Sequence, residues 1–448
     1  MSGVAAQPAT LSRRMVRAAR GLTYAGLAPA VIEKVKTGLL DMLSCAFEAR
    51  TLPWGEQAIC LAGRASNGGA AIIGTPWRAA AADAAFANAV LGHGLVREDM
   101  HTGAVSHLGV VIYPVLLALA QEKPVNGRDF IAAAVSGYEV GAAVGRAIMD
   151  QEMVRRFRPT GITGPLAGAV AGSRILGLSE DASVSALGFA ANTVGGLNEW
   201  PFSGGDEMFF HPGFAARNAV TATLLANFGG RASESALDGP AGLFSAFGKA
   251  EQIAAVAPFT GARPEILSVY YKPAPACNYA QTACQAALAL AGSLEPSQIV
   301  SITVSVPAAA VNYPGCNSAG PFERILQAKM SIQYCVAATL RCGVIEEANY
   351  HLLNDPEILR LARIIKLESD TQFSAAYPQS QGAALVVSLR NGQTLRASLP
   401  DVNPATPPEI RERFRKAAGP KAMAIEERIE NLENESNFEE LNSLLGQP

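Results

Sequence analysis

The chain has 448 residues, 49% of them hydrophobic and 17% charged, with a net charge of −3. That length favours two domains over one core, and the composition suits a helix-rich protein with a large buried interior. The absence of a basic block argues against a nucleic-acid partner, and the longest apolar run, Leu108 to Ala120, is interrupted by Pro114 and too short to cross a bilayer.

The opening MSGVAAQPATLSRRMVRAARG has no apolar core ahead of a small-residue cleavage site, so no secretory signal is expected. Seven scattered cysteines with no CxxC pair read as reduced thiols of a cytoplasmic protein, and they give no support to a zinc ribbon or an iron–sulfur cluster.

In chain order, residues 10–50 read as a helix pair, the second opening on Pro29 with apolar residues at three- and four-residue spacing. The alanine-dense 78–96 stretch predicts a central buried helix. Further helices are expected over 108–121, 128–149, 163–177, 180–191 and 212–228, with Gly/Pro-rich turns at 157–165 and 198–213. Beyond about residue 260 alternating strands enter, at Ile299–Pro307 and across Ala384–Pro400, the latter a hairpin turning at Asn391-Gly392. Helices over 279–293, 328–343 and 355–368 separate them, and amphipathic helices close the chain. The fold class expected is mainly α: a large helical domain (1–262 and 405–448) with an inserted α+β lid domain (263–404).

Chemistry concentrates in Leu91–Ala120, which holds three of the five histidines (His93, His101, His107) and the pair Glu98-Asp99. Histidine exchanges protons near neutral pH. The expectation is that Asp99, His101 and His107 converge on a pocket, Gly103 letting the chain turn between the two histidines. The spacing supplies no further metal ligand, so no metal is expected. His211 opens a helix at HPG, where free N–H groups including those near Gly213 could seat a carboxylate. Arg158 and Lys272 are turn cations able to grip one; a merely solvated role competes with that reading. Ser331 and Tyr334 would share a helix face beside Lys329, and a tyrosine hydroxyl can serve as an acid. The Gly-rich stretches lack the preceding strand of a nucleotide loop, and no GxSxG elbow is present.

Six ordered blocks then resemble the MmgE/PrpD family: HGLVREDMHTGAVSHLGVVIYPVLLAL (93–119), GYEVGAAVGRA (137–147), PTGITGPLAGAVAGSRILGL (159–178), HPGFAARNAV (211–220), KPAPACNYAQTACQAAL (272–288) and AKMSIQYCVA (328–337). The resemblance implies a homodimer whose helical domain and lid close over a cleft without cofactor. It also implies proton removal or carbon–carbon cleavage beside a carboxylate of a small di- or tricarboxylic acid. Asp99, His101 and His107 match positions where the family usually carries Asp, His and His. Three positions depart: Arg158 stands where lyase members usually have His, Met208-Phe209 replaces a Lys-Arg pair, and Gln281 replaces a later His. The catalytic set expected is Asp99, His101, His107 and Tyr334, with Asp99 keeping a histidine basic. Arg97, Arg158, His211, Gly213, Lys272, Gln281, Lys329 and Ser331 are the expected substrate-binding set. A dehydratase of the 2-methylcitrate type is the leading expectation. An iminodisuccinate-type epimerase, a cis-aconitate-type decarboxylase and a non-catalytic binding protein stand as alternatives.

Overall fold

The computed structural model describes residues 9–64, 68–261 and 263–447. The segment 1–8 and the expected boundaries at 1, 262 and 448 lie outside the described residues. The protein is 60% helical and 9% strand, mainly α with a smaller α+β part.

The helical part is built around Ala81–His93 and Gly109–Leu119, buried along nearly their whole lengths. Gly127–Ile148, Pro159–Ile175 and His211–Asn227 pack round them, and small residues set how closely. A Cβ on Gly168 would come within 2.6 Å of Ala219, and one on Gly141 within 2.7 Å of Leu108. The late helix Pro407–Ala418 returns to pack on Pro29–Glu48, so one apolar core runs from Val31 to Leu445.

The α+β part carries a four-stranded sheet in the order Ile365–Ser369, Ile299–Val306, Ala383–Leu389, Thr394–Leu399. The first pair is parallel (Val304 beside Leu367) and the others are antiparallel. Ile302, Val304, Leu385 and Val387 alternate onto the buried face, covered by helices Gln281–Ala291 and Ile332–Cys342.

Several expectations need correction. The 355–368 helix ends at Ile364, and Ile365–Ser369 leaves it as a strand. The turn expected over 157–165 is helical from Pro159, with the ring of that proline at a position where no N–H is needed. The 328–343 helix is two, Ile325–Met330 and Ile332–Cys342, broken at Ser331. The helical half also contains two-residue strands, among them Met100–His101 paired with Val269–Tyr270. No helix is long and apolar enough to cross a membrane among the described residues.

Candidate active site

The Ala81–His93 helix ends on a histidine, and the chain then makes a tight excursion, residues 94–108, before the next buried helix begins. Val96 (φ 56°) and Val105 (φ 51°) are left-handed within it. A β-branched residue is disfavoured there, and such strain concentrates at functional sites. The excursion is tied down by the helix beginning at Pro159, whose Thr160 Oγ1 accepts from the His107 backbone N–H at 3.0 Å.

Its centre is Glu98, fully buried. Oε1 lies 2.5 Å from His93 Nδ1 and 3.0 Å from His107 Nδ1, and His107 Nδ1 is also 2.9 Å from the Asp99 carbonyl oxygen. Two acceptors on Nδ1 fix the proton there. His107 Nε2 is left as a bare lone pair, with no protein partner among the described residues. Burial together with Lys272 holds the imidazole down to about 3, so it is neutral at neutral pH. Burial works against ionised Glu98, but His93, His107 and Lys272 hold it well below the usual carboxylate range. His93, lowered by its own burial, keeps Nε2 free to accept from Arg158 Nη2 at 3.3 Å.

His107 opens into a cavity of about 10 Å³, room for roughly one water-sized group. Its walls include Val96, Met100 and Met330 from apolar side chains, and Arg158, Cys277 and Tyr313 from polar ones. Arg158 Nη1 donates to the Tyr313 hydroxyl at 3.2 Å, while its Nε is buried with no partner among the described residues. Lys272 is wholly buried, and among the described residues Nζ makes only a 3.3 Å bond to the Ala276 carbonyl. Two under-satisfied cations in an apolar setting favour an anion beside His107.

The other expected residues do not join this cluster. His101 and His107 lie on opposite sides of the loop. His101 Nδ1 accepts from the Ala104 N–H, and its Nε2 donates to Glu265, 2.9 Å away, facing a separate open cleft of about 1020 Å³. Tertiary pairing of Met100–His101 with Val269–Tyr270 overrides the convergence drawn from Gly103. The Asp99 carboxylate accepts from Tyr138 at 2.6 Å and from the Gly109 N–H at 3.2 Å, so only its carbonyl touches His107. Tyr334 donates to the Asn349 carbonyl among Phe322 and Tyr350, away from the cavity. Ser331 caps the second half-helix, accepting from the Tyr334 N–H, which is why the two do not share a face. Lys329 donates to the Leu95 and Pro275 carbonyls and pairs with Glu347; Arg97 pairs with Glu48 beside another cleft.

Gln281 braces the 274–277 loop, its amide bonding the Ala274 N–H and the carbonyls of Ala274, Ala276 and Cys277. Gly213 is a packing glycine, since a Cβ there would meet Val90 at 2.6 Å. His211 stands near Arg158 with Nδ1 unpartnered, its imidazole lowered to about 3 by burial and by that arginine. Met208 and Phe209 fill apolar space, Phe209 stacking on Trp54 at 3.7 Å with its edge toward His93.

His93, Glu98, Tyr313 and Cys277 were not in the expected set. His93 and Glu98 were visible in the same dense stretch, five residues apart, with nothing local to rank them above Asp99 and His101. Tyr313 and Cys277 reach the cavity from the α+β part, and no sequence spacing signals that.

Comparison with known proteins agrees with the architecture. The sequence model of the MmgE/PrpD N-terminal domain matches residues 13–255, and that of the C-terminal domain matches 274–437. Relatives include a cis-aconitate decarboxylase-like protein, oryM, of Aspergillus oryzae, 33% identical over 208 residues (44% of this chain, 43% of that protein). The cis-aconitate decarboxylase of Aspergillus terreus is 31% identical over 215 residues, 46% of this chain and 44% of that protein. The human cis-aconitate decarboxylase is 28% identical over 379 residues, 80% of this chain and 76% of that protein. The match thus spans less than half the length of these fungal relatives.

Proposed function

The chain belongs to the MmgE/PrpD family, and on that premise we propose that it is a lyase of the dehydratase type, removing a proton α to a carboxylate of a small hydroxy-carboxylic acid. The observation that carries this is the His107 Nε2 lone pair, on a ring that lines a cavity and whose Nδ1 proton is held by Glu98 and the Asp99 carbonyl. The imidazole is neutral, so its lone pair is available; burial weakens it as a base, and Arg158 and Lys272 offset this by meeting the negative charge that develops on the substrate. Each charge-assisted contact they make is worth roughly 1.5–3 kcal/mol. The reaction so drawn needs no metal or coenzyme.

Decarboxylation is the second reading, favoured by the names of the relatives. It would begin with carbon–carbon cleavage and need a proton donor at the carbanion, which a neutral His107 is not. Incubation with citrate, 2-methylcitrate, malate and cis-aconitate in D2O, followed by proton NMR, separates the readings. A new alkene signal with exchange at the α carbon supports dehydration, and carbon dioxide release supports the second reading. Exchange with inversion and no alkene would instead mean an epimerase. Neither exchange nor carbon dioxide release with any acid would sink both lyase readings.

We also propose that the active form is a homodimer and that residues 263–404 act as a lid. Phe214 and Leu225 share one side of the His211–Asn227 helix, Phe228 follows at its C-cap, and all three are about half or more exposed, the kind of apolar patch a second copy would cover. Sedimentation velocity of the wild type and of Phe228→Glu tests this; a monomeric wild type would refute it.

A further inference from the structure

The proposed dehydration needs a proton donor for the departing hydroxyl, and the cavity wall offers few. Arginine does not deprotonate. The Asn278 amide is spent on Tyr270 and Gln381, and the Tyr279 hydroxyl on Tyr377. That leaves Tyr313 and Cys277.

We infer that Cys277 is the acid that protonates the departing hydroxyl, with Cys316 behind it as the group that sets its readiness. This assignment rests on the dehydration reading above. Cys277 Sγ lies 3.4 Å from Cys316 Sγ, both side chains buried. Cys277 immediately precedes the short turn Asn278–Ala280, which runs into helix Gln281–Ala291. A buried sulfur with a second thiol against it, in a wall that also carries Arg158, is placed to bear negative charge once its proton has gone. Its loop is fixed from both sides, by Gln281 at the carbonyl of Cys277 and by the Lys329 carbonyl at its N–H.

The groups facing this sulfur are Lys272 and Arg158, which favour the thiolate, and Cys316, Tyr313, Tyr270 and Cys335. Burial opposes that charge, but Cys316, Lys272 and Arg158 bring the thiol below its ordinary value, whereas burial pushes the Tyr313 phenol up. An acid is most effective when it titrates near the working pH, which favours the thiol over the phenol.

The step balances. His107 Nε2 takes the α proton, the electron pair becomes the carbon–carbon double bond, and the β carbon–oxygen bond breaks. The oxygen leaves as water with the Cys277 proton. The resulting imidazolium and thiolate are reset when one proton passes between them through solvent.

The test uses full-length Cys277→Ala, Cys277→Ser, Cys316→Ala and Tyr313→Phe, with melting temperatures recorded for each, and the same citrate, 2-methylcitrate and malate panel. In Cys277→Ala, alkene formation is expected to fall about 10²–10⁴-fold while deuterium uptake at the α carbon persists. In Cys316→Ala, the alkaline limb of kcat/KM is expected to move to higher pH, because the thiolate has lost a donor; a merely structural cysteine would leave that limb in place. Tyr313→Phe is expected to keep the limb. Alkene formation by folded Cys277→Ala or Cys277→Ser within threefold of wild type, or an unmoved limb in Cys316→Ala, overturns the assignment. A wild type that neither exchanges nor forms alkene overturns the dehydration reading itself, a result distinct from failure of the cysteine variants alone.

Discussion

His101 and His107 stand six residues apart and meet opposite surroundings. His101 donates to Glu265, which also pairs with Arg146, so its donor nitrogen is engaged within an ion-pair network at the mouth of an open cleft. His107 has its proton pinned on the inner nitrogen and its outer nitrogen bare. The difference is one of partners, since both are almost wholly buried. His107→Ala is therefore expected to lower kcat by about 10²–10⁴-fold, with the fold intact by circular dichroism, whereas His101→Ala should stay within about tenfold. Steady-state kinetics of the two purified variants decide it, and equal losses would reject the division of roles. Glu98 sits between two imidazoles and has one oxygen, Oε2, without a partner among the described residues. Removing its charge while keeping its shape would leave the Asp99 carbonyl to hold the His107 Nδ1 proton.

The 94–108 excursion converts these contacts into a geometry, and one glycine sets its exit. Gly109 opens the next helix with Tyr138 and Asp99 pressed against it: a Cβ would stand 2.4 Å from the Tyr138 hydroxyl and 2.8 Å from Asp99 Oδ2. Gly109→Ala must displace a buried hydrogen-bonded pair, so a loss of roughly 1–3 kcal/mol is expected, read as a lower urea midpoint, together with a lower kcat as the loop carrying His107 shifts. Wild-type stability in this variant would show that the loop is not anchored there. Most elements were legible in the sequence, because three- and four-residue spacing marks the long helices and strict alternation marks Ile299–Val306 and the hairpin turning at Gly392. Ile365–Ser369 was not, since IIKLE continues the apolar pattern of the helix before it, and only pairing beside Ile302–Val306 makes it a strand. The candidate site was legible as a stretch but not as a set. The density of titratable groups pointed to 93–107, while the choice of His93 and Glu98 over His101 and the Asp99 carboxylate depends on Tyr138 and Glu265, far away in sequence.

Across the molecule, buried ionisable groups pull stability in opposite directions with pH. Burial, with Asp99 nearby, raises Asp41 to about 8 from an ordinary 3.8, and its own burial raises Asp99 to about 6. The folded chain then holds protons that the unfolded chain has lost, so these carboxyls cost stability increasingly as pH rises from 3.8 through their folded values. His107 and His211, both lowered to about 3, act the other way: below about 6.5 the unfolded chain binds protons the folded chain refuses, and stability falls with pH. Asp41 has a buried oxygen with no partner, so Asp41→Asn is expected to stabilise the protein by roughly 1–3 kcal/mol at pH 8, the gain vanishing near pH 4. Thermal unfolding at the two pH values reads this, and an equal gain at both would disprove the titration account.

On the proposed reading, a cavity of about 10 Å³ walled by both His107 and Cys277 has no space for a polycarboxylic acid until that wall opens. Ligand capture is then a gated process: at high acid concentration the observed association rate stops rising and settles at the frequency of breathing, a ceiling that stopped-flow fluorescence would register and that no gain in affinity could lift.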